Sequence, residues 1–363
     1  MSAFVIAARR TAVVPRGGAF AKVGLVDLAV PVVAACLADA GIAAEEVEEI
    51  IVSNALGAGG NVARLVALAA GLPERVAGLT IDRQCAGGLD AVLLARALVE
   101  AGMADVVVAG GVESYSRRPL RFWTDPEGGP AVEYDAPPFT PWPERDPKMM
   151  VAAAALALNL GISREAQDFW AVRSHERALA ARLEGEIVPV SGVGKDAFAR
   201  ALTMEIARRA KGLYGPITAA NAAVAADAAG FVVVVSERRV KACHRALRIA
   251  GGATLGGRPE APGTAPVLAI AEVLGRAGLR PADLQAVEIM EAYAIQALAC
   301  IQGAGLDPAL VNLGGGALAR GHPIGASGGI LAVRLFHEVQ HGHGLAAIAA
   351  AGGIGTALLL AAG

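Results

Sequence analysis

The sequence predicts an α/β protein made of two copies of one α/β unit with a segment of different character inserted between them. The first observation is a repeat. Gly87-Gly88-Leu89-Asp90-Ala91-Val92 recurs as Gly328-Gly329-Ile330-Leu331-Ala332-Val333, and each run opens a helical pattern that leads to an apolar strand. The second is the order of the surroundings. Helices ending in Ala40-Gly41-Ile42 and Ala277-Gly278-Leu279 precede strand patterns at Glu46 to Val52 and Asp283 to Ile289. The offset stays at about 240 residues, too long for a solenoid and suited to two domains facing each other about a pseudo-twofold. The third is composition: 363 residues, 55% hydrophobic and 18% charged, read as large buried cores in two or three domains. With only 4% aromatic residues, packing falls to alanine, valine and leucine, and 45 glycines point to close-packed sheets and tight turns.

Taken in order, the first unit runs through the helix opened near Cys85, with Leu89, Val92, Leu93, Ala95 and Leu98 at helical spacing, to the strand Val106 to Ala109. That strand ends in Ala109-Gly110-Gly111-Val112, as its counterpart ends in Ala351-Gly352-Gly353-Ile354. A stretch rich in proline and aromatics follows, with Phe122-Trp123, Pro137-Pro138-Phe139 and Pro141-Trp142-Pro143. At that density proline forbids regular helix and strand, so this is ordered coil or lid. Helical periodicity returns from Met150 to Leu160 and from Arg164 to Leu183. Trp123, Trp142 and Trp170 all fall in this insert, which suits a cover over a substrate pocket. Asp227 and Phe231 to Val235 form the closing strand of the first unit. The expected division is 1–115 with about 217–243 as the N-terminal core, 116–216 as the insert, and 244–363 as the C-terminal core. Leu345 to Gly363 carries no charge and is about long enough to cross a bilayer, but Gly352-Gly353-Ile354-Gly355 interrupts it. Two buried strands, Leu345–Ala350 and Thr356–Leu360, account for the same residues without membrane insertion.

Two runs carry chemistry. Cys85 follows Asp82-Arg83-Gln84 at a helix start, where free N–H groups and the helix dipole favour a partly exposed thiolate. His322 stands in Gly321-His322-Pro323-Ile324-Gly325-Ala326-Ser327-Gly328. Taken singly, each has a plainer reading, an inert buried thiol and a histidine that bonds backbone carbonyls. The repeat changes this, because a duplicated α/β unit sets its two glycine-rich corners side by side and lets His322 act as base for Cys85. Cys36, Cys243 and Cys300 lie in apolar surroundings. Scattered cysteines without a Cys-x-x-Cys pair suggest no metal site and no disulfide framework, hence a reducing cytoplasm. The N-terminus, with Arg9-Arg10 and no adequate apolar run, is not a secretory signal. A net charge of −2 gives no reason to expect nucleic acid. The basic clusters Arg117-Arg118 with Arg121, Arg208-Arg209 with Lys211, and Arg238-Arg239 with Lys241 read mostly as solvated faces.

Along nearly its whole length the chain resembles the thiolases, acetyl-CoA acetyltransferases and 3-ketoacyl-CoA thiolases. The resemblance rests on Ala7-Ala8-Arg9-Arg10-Thr11-Ala12, on Gly161-Ile162-Ser163-Arg164-Glu165-Ala166-Gln167-Asp168, on Glu186-Ile187-Val188-Pro189-Val190, and above all on the block from Asn312 through Gly316 to His322 and Gly328. It implies α-β-α-β-α layers with an inserted loop domain, and acyl-CoA and coenzyme A as substrates with no permanently bound cofactor. It also implies a homodimer or homotetramer in acyl-CoA or fatty acid metabolism. Cys85 would carry the acyl group as a thioester with His322 as its base, and the backbone N–H groups of Cys85 and Ala351 would hold the oxyanion. Met150, Ala223 and Gly353 fall at substrate- or CoA-binding positions.

The departures bear on the second half of the reaction. Where the family has Asn-Glu-Ala-Phe this chain reads Met290-Glu291-Ala292-Tyr293, and methionine cannot hold a catalytic water as an amide does. Where the family has a second cysteine, the chain has Ala349, which moves no proton. The segment usually written Gly-Asn-x-Ser appears as Ala220-Asn221-Ala222-Ala223, and a His-Met pair as Met149-Met150. Loading of Cys85 is therefore the expected step. Condensation is expected to be slower by about a hundredfold to ten-thousandfold. Three outcomes follow: Cys300 or Glu291 stands in for the lost base, the acyl group passes to a non-carbon acceptor, or the protein is an acyl-CoA-binding scaffold without chemistry.

Overall fold

In the computed structural model, which describes residues 1–57, 59–240 and 244–363, apolar runs become the strands of one large sheet. Cys243 and Lys241 lie outside the described residues. The N-terminal half supplies β1 (Ala3–Thr11), α1 (Leu25–Ala40), β2 (Glu49–Ser53), α2 (Val62–Ala69), β3 (Leu79–Ile81), α3 (Gly87–Glu100) and β4 (Val106–Ser114). After the insert, which holds α4 (Met149–Leu160) and α5 (Arg164–Ala180), the chain returns through β5 (Ala226–Ser236). The C-terminal half follows with β6 (Leu247–Gly256), α6 (Ala265–Ala277), β7 (Leu284–Ile289), α7 (Ala294–Ala304), α8 (Ile324–Glu338), β8 (His343–Ala350) and β9 (Ile354–Ala362).

Strand order runs β7-β8-β9-β6-β1-β5-β4-β2-β3. In the first half β2 lies parallel to β4, and β4, β5 and β1 follow antiparallel. In the second half β7, β8, β9 and β6 repeat that pattern, so the duplication seen in the residues is a duplication of topology. Within the main sheet, among the described residues, the halves join where β1 meets β6, Phe4 opposite Arg248 and Val5 opposite Leu247. Both α1 and α6 end at a glycine in the left-handed region, Gly41 and Gly278, where a side chain would be strained.

Three apolar clusters give the layers. Val32, Val33, Val52, Val66 and Val233 pack α1 and α2 on the outer face of the first half-sheet. Ile270, Val273, Ala297, Leu345 and Leu359 pack α6 and α7 on the outer face of the second. Between the half-sheets lie α3 and α8 with Leu89, Val92, Leu331, Leu335 and Phe336. The result is the expected five-layered α-β-α-β-α arrangement. The repeated glycines form its closest contact: a Cβ on Gly88 would sit 2.2 Å from the Gly329 nitrogen, and one on Gly328 would sit 2.3 Å from the Leu89 nitrogen. No larger residue permits the two helix starts to approach so nearly.

Several local expectations need correction. Gly110 and Gly111 do not end a strand, since β4 runs on to Ser114 with Gly110 opposite Phe231 and Gly111 opposite Gly230. Their counterparts Gly352 and Gly353 both have φ +79° and turn the chain from β8 into β9, so the same letters serve different backbones. The insert is not all coil: Arg121–Trp123 and Val132–Tyr134 form a small hairpin in which Trp123 stacks on Tyr134 at 4.4 Å. Helix α5 stops at Ala180, short of Leu183.

A buried ionic cluster pins the insert to both halves. Glu186 accepts from Arg10 of β1 and Arg334 of α8, and Asp196 binds Arg10 at 2.7 Å and Arg320 at 3.3 Å. Burial alone would raise the Glu186 carboxyl, but Arg10 and Arg334 outweigh it and hold it down at about 2. Among the described residues no single helix is long and apolar enough to cross a membrane.

Candidate active site

Cys85 occupies a one-turn helix, Gln84 to Ala86, that leads directly into α3. Its position is set by an unusual backbone: Gln84 has φ +48°, a left-handed conformation rare for a side-chain-bearing residue. Asp82 holds that corner by accepting from the Gln84 backbone N–H at 2.8 Å and from its amide at 3.0 Å. Ser53 fills the space above Gly87, where a Cβ would come within 2.2 Å of its hydroxyl.

His322 arrives from the other half. Its backbone N–H donates to the Val224 carbonyl at 2.7 Å, beside β5, and Pro323 then caps α8. Glu113, from the end of β4, ties the two approaches together. It accepts from the backbone N–H groups of Ala55 and Gly325, both at 3.0 Å, and from the Asn54 amide at 2.7 Å.

The Cys85 Sγ and the His322 Nε2 lie 3.0 Å apart. On the far side of the ring, Nδ1 is 2.7 Å from the Ser327 hydroxyl, which itself donates to the Pro323 carbonyl at 3.2 Å. Because that hydroxyl's one proton is committed to the carbonyl, Nδ1 is the ring donor. Nε2 is left with a lone pair facing the thiol. Burial lowers the imidazole to about 4, so it is neutral at pH 7. The thiol is pushed up to about 12, first by burial and then by the nearby carboxylates of Glu113 and Asp82, against the pull of its own backbone N–H. The helix-start thiolate expected from the sequence is therefore outweighed. The resting pair is thiol and neutral imidazole, and the anion forms only as His322 takes the proton.

The pair opens into a cavity of about 440 Å³. Its lining includes Ala349, Ala350 and Ala351 from the end of β8 and the following turn, Ala223 beside β5, and Tyr115, Phe139 and Tyr293. Ala223, Ala349 and Ala351 thus share the cavity with Cys85 and His322. Met290 does not: it is 2% exposed and packs into the central core. Of the two methionines at the start of α4, Met149 lines the cavity, with Ala152, Ala153 and Leu156 further along the helix, whereas Met150 turns against the cluster of Ala153, Ala157 and Ile295. Gly353 is absent from the lining, and its carbonyl accepts from the Gly257 N–H at 2.7 Å.

The two groups considered as stand-ins for the missing base also lie off the cavity wall. Glu291 is saturated by Trp170 at 2.8 Å, Ser174 at 2.7 Å, Asn312 at 2.8 Å and the Leu318 N–H at 3.2 Å. The Cys300 thiol is buried, raised to about 12, and donates to the Gly263 carbonyl at 3.3 Å. The tryptophans of the insert likewise make no roof. Trp170 holds Glu291, and Trp123 and Trp142 are exposed at 51% and 49%. Phe139 and Tyr115 take that place. Tyr115 and Glu113 carried no pattern that marked them in the sequence, while Tyr293 stood in plain view as a departure.

Two family models match the chain: the thiolase N-terminal domain over residues 3–238 and the thiolase C-terminal domain over 241–362. The chain is 39% identical to a putative acetyl-CoA C-acetyltransferase, YhfS, of Bacillus subtilis, over 99% of both chains. It is also 39% identical to an acetyl-CoA acetyltransferase of Cupriavidus necator, over 98% of both. Among solved structures, the Bacillus anthracis acetyl-CoA acetyltransferase superposes with a TM-score of 0.92 at 33% identity, covering 99% of this chain and 98% of that one. Human mitochondrial 3-ketoacyl-CoA thiolase does so with a TM-score of 0.92 at 30% identity and the same coverage. The chain belongs to the thiolase family.

Proposed function

We propose that this protein is an acyltransferase that takes an acyl group from an acyl-CoA onto Cys85. The observation that carries the reading is the 3.0 Å contact between Sγ and an imidazole nitrogen whose lone pair faces it. In this reading His322 Nε2 accepts the thiol proton as Sγ attacks the thioester carbonyl. The tetrahedral oxyanion is met by the backbone N–H groups of Cys85 and Ala351, and coenzyme A leaves with the proton returned by His322. Acyl return to a thiol retraces the same path and needs no further base. Carbon–carbon bond formation needs a proton taken from an acyl methyl, and Ala349 offers no group to take it. The proposal therefore makes loading and thiol transfer fast and carbon–carbon chemistry slow. Ala223 and Met149 would line the acyl and pantetheine path. A cytoplasmic homodimer or homotetramer acting in acyl-CoA metabolism, without a permanent cofactor, completes the proposal.

The second reading, transfer to a non-carbon acceptor or acyl-CoA binding without condensation, is favoured by the placement of Glu291 and Cys300 away from the cavity. One experiment separates chemistry from binding. Intact protein incubated with acetyl-CoA gains one acyl mass per chain, and Cys85→Ala gains none. Tight acetyl-CoA binding with no mass gained by the wild type would establish the scaffold.

A further inference from the structure

Tyr293 is the N-cap residue of α7, and its backbone is fixed on both sides. It pairs with Ala222 in an isolated bridge, and its neighbours are held by the Ala223 N–H to the Ala292 carbonyl at 3.0 Å and the Ala294 N–H to the Asn221 carbonyl at 2.9 Å. The ring is half-buried and lines the cavity shared by Cys85, His322 and Ala349. Among the described residues its hydroxyl has no hydrogen-bond partner. That hydroxyl is open to the cavity, where a bound ligand can meet it. Tyr115, the other phenol of the cavity, also lies close to Cys85, but it stands among charges, with the Arg118 guanidinium 5.7 Å from its ring and Glu113 and Asp135 nearby. Burial, then the charge at Cys85, raises the Tyr293 phenol above its ordinary value, so at neutral pH it donates and does not ionise.

We infer that the Tyr293 hydroxyl is the donor for a second substrate oxygen, the thioester oxygen of a 3-oxoacyl-CoA whose 3-carbonyl is attacked by Cys85. This rests on the acyl-Cys85 reading and adds a residue to it. The first oxygen, on the attacked carbonyl, is met by the backbone donors near Cys85, which leaves the second one for another group. In cleavage the Sγ–C3 bond forms and the C2–C3 bond breaks, and the electron pair moves through C2 onto the thioester oxygen as an enolate. Tyr293 donates a hydrogen bond to that oxygen and keeps its proton. The proton taken from Sγ by His322 ends on C2, so the products are acyl-Cys85 and an acetyl thioester with no other reactant consumed. With no second acid at position 349 to deliver it, His322 serves both ends of the step, which therefore runs well below the rate of loading. Of the other wall residues, Ala292 and Ala349 carry no donor, and the Gln84 and Gln296 amides donate to Asp82 and to the Cys300 sulfur, so the phenols are the donors left. Tyr115→Phe run beside Tyr293→Phe separates the two: a loss of thiolysis in Tyr115→Phe alone would overturn the assignment.

The test compares two reactions of the whole enzyme. Isotope exchange between acetyl-CoA and labelled coenzyme A reports acylation of Cys85 alone, whereas thiolysis of acetoacetyl-CoA by coenzyme A adds the carbon–carbon step. Tyr293→Phe, which removes one oxygen and keeps the ring, is expected to leave exchange within about twofold and to lower thiolysis about a hundredfold, the usual effect of losing one oxyanion donor. Equal losses in both reactions would make Tyr293 a structural residue, and unchanged thiolysis would remove it from the chemistry. Wild-type exchange with no thiolysis above the Cys85→Ala background would overturn the inference while sparing acyl-Cys85. Absence of exchange itself would instead overturn the proposed function.

Discussion

Substituting Gly88 by alanine tests the link from the repeated sequence to the reactive pair. A Cβ there would lie 2.2 Å from the Gly329 nitrogen and 2.8 Å from the Gly328 carbonyl carbon, both backbone atoms that cannot rotate away. Restoring ordinary contact requires α3 and α8 to separate by about 1 Å. Overpacking of this kind costs about 1–3 kcal/mol, and for a chain of this length the midpoint should fall by several degrees. The functional effect should be larger than the stability effect. Cys85 and His322 sit just before the two helix starts, so the same 1 Å adds directly to their 3.0 Å separation and takes Nε2 out of proton-transfer reach. A misplacement of that size costs about a hundredfold in rate. Thermal unfolding by circular dichroism and the rate of acyl mass gain from acetyl-CoA would be measured on the same preparation. A Gly88→Ala protein that melts with the wild type and loads Cys85 at the wild-type rate would refute the packing argument.

The neutral thiol–imidazole pair predicts that loading shows no steep rise from pH 6 to 9, because His322 is deprotonated above about 4, Cys85 keeps its proton to about 12, and Glu113, raised by burial to about 7, ionises within the window and only holds the thiol up further. A tenfold gain per pH unit across that range in stopped-flow acylation would mean that a free thiolate reacts instead. Glu186 has a folded value of about 2 against an ordinary 4.5, so its contribution is present above pH 4.5 and is lost as pH falls toward 2. Acid unfolding should show this as a loss on the order of 3 kcal/mol, and Glu186→Gln should flatten the dependence in that window. Ala349→Cys places a thiol on the wall of the cavity that Cys85 also lines. It should raise acetoacetyl-CoA formation by at least tenfold with loading unchanged, measured by product formation from acetyl-CoA.

The duplication, the layers and the meeting of Cys85 with His322 were legible because they rest on backbone requirements. Gly88 and Gly328 are glycines because the two helix starts nearly touch, which agrees with the side-by-side corners that the repeat implied. What was not legible depended on direction. Met149 and Met150 differ by one residue, yet on a helix that is about 100° of rotation, enough to put one on the cavity wall and the other in a core. Glu113 is one carboxylate at the end of a buried strand, and only the fold shows that it joins the loop after β2 to the start of α8. The ionisation of Cys85 was misjudged because a helix-start argument counts the dipole and omits burial and the two acidic neighbours. Gly110-Gly111 and Gly352-Gly353 look alike as letters, but strand pairing decides that the first pair stays extended and the second turns.

The most direct test of the central claim is the pre-steady-state release of coenzyme A from acetyl-CoA in rapid-quench mixing. Wild-type protein should release one equivalent per chain in a burst, with the acyl group recovered on the peptide bearing Cys85. His322→Ala should slow that burst by about a hundredfold to ten-thousandfold with the same endpoint. A burst of unchanged rate in His322→Ala, or an acyl group recovered on any residue other than Cys85, would contradict the account.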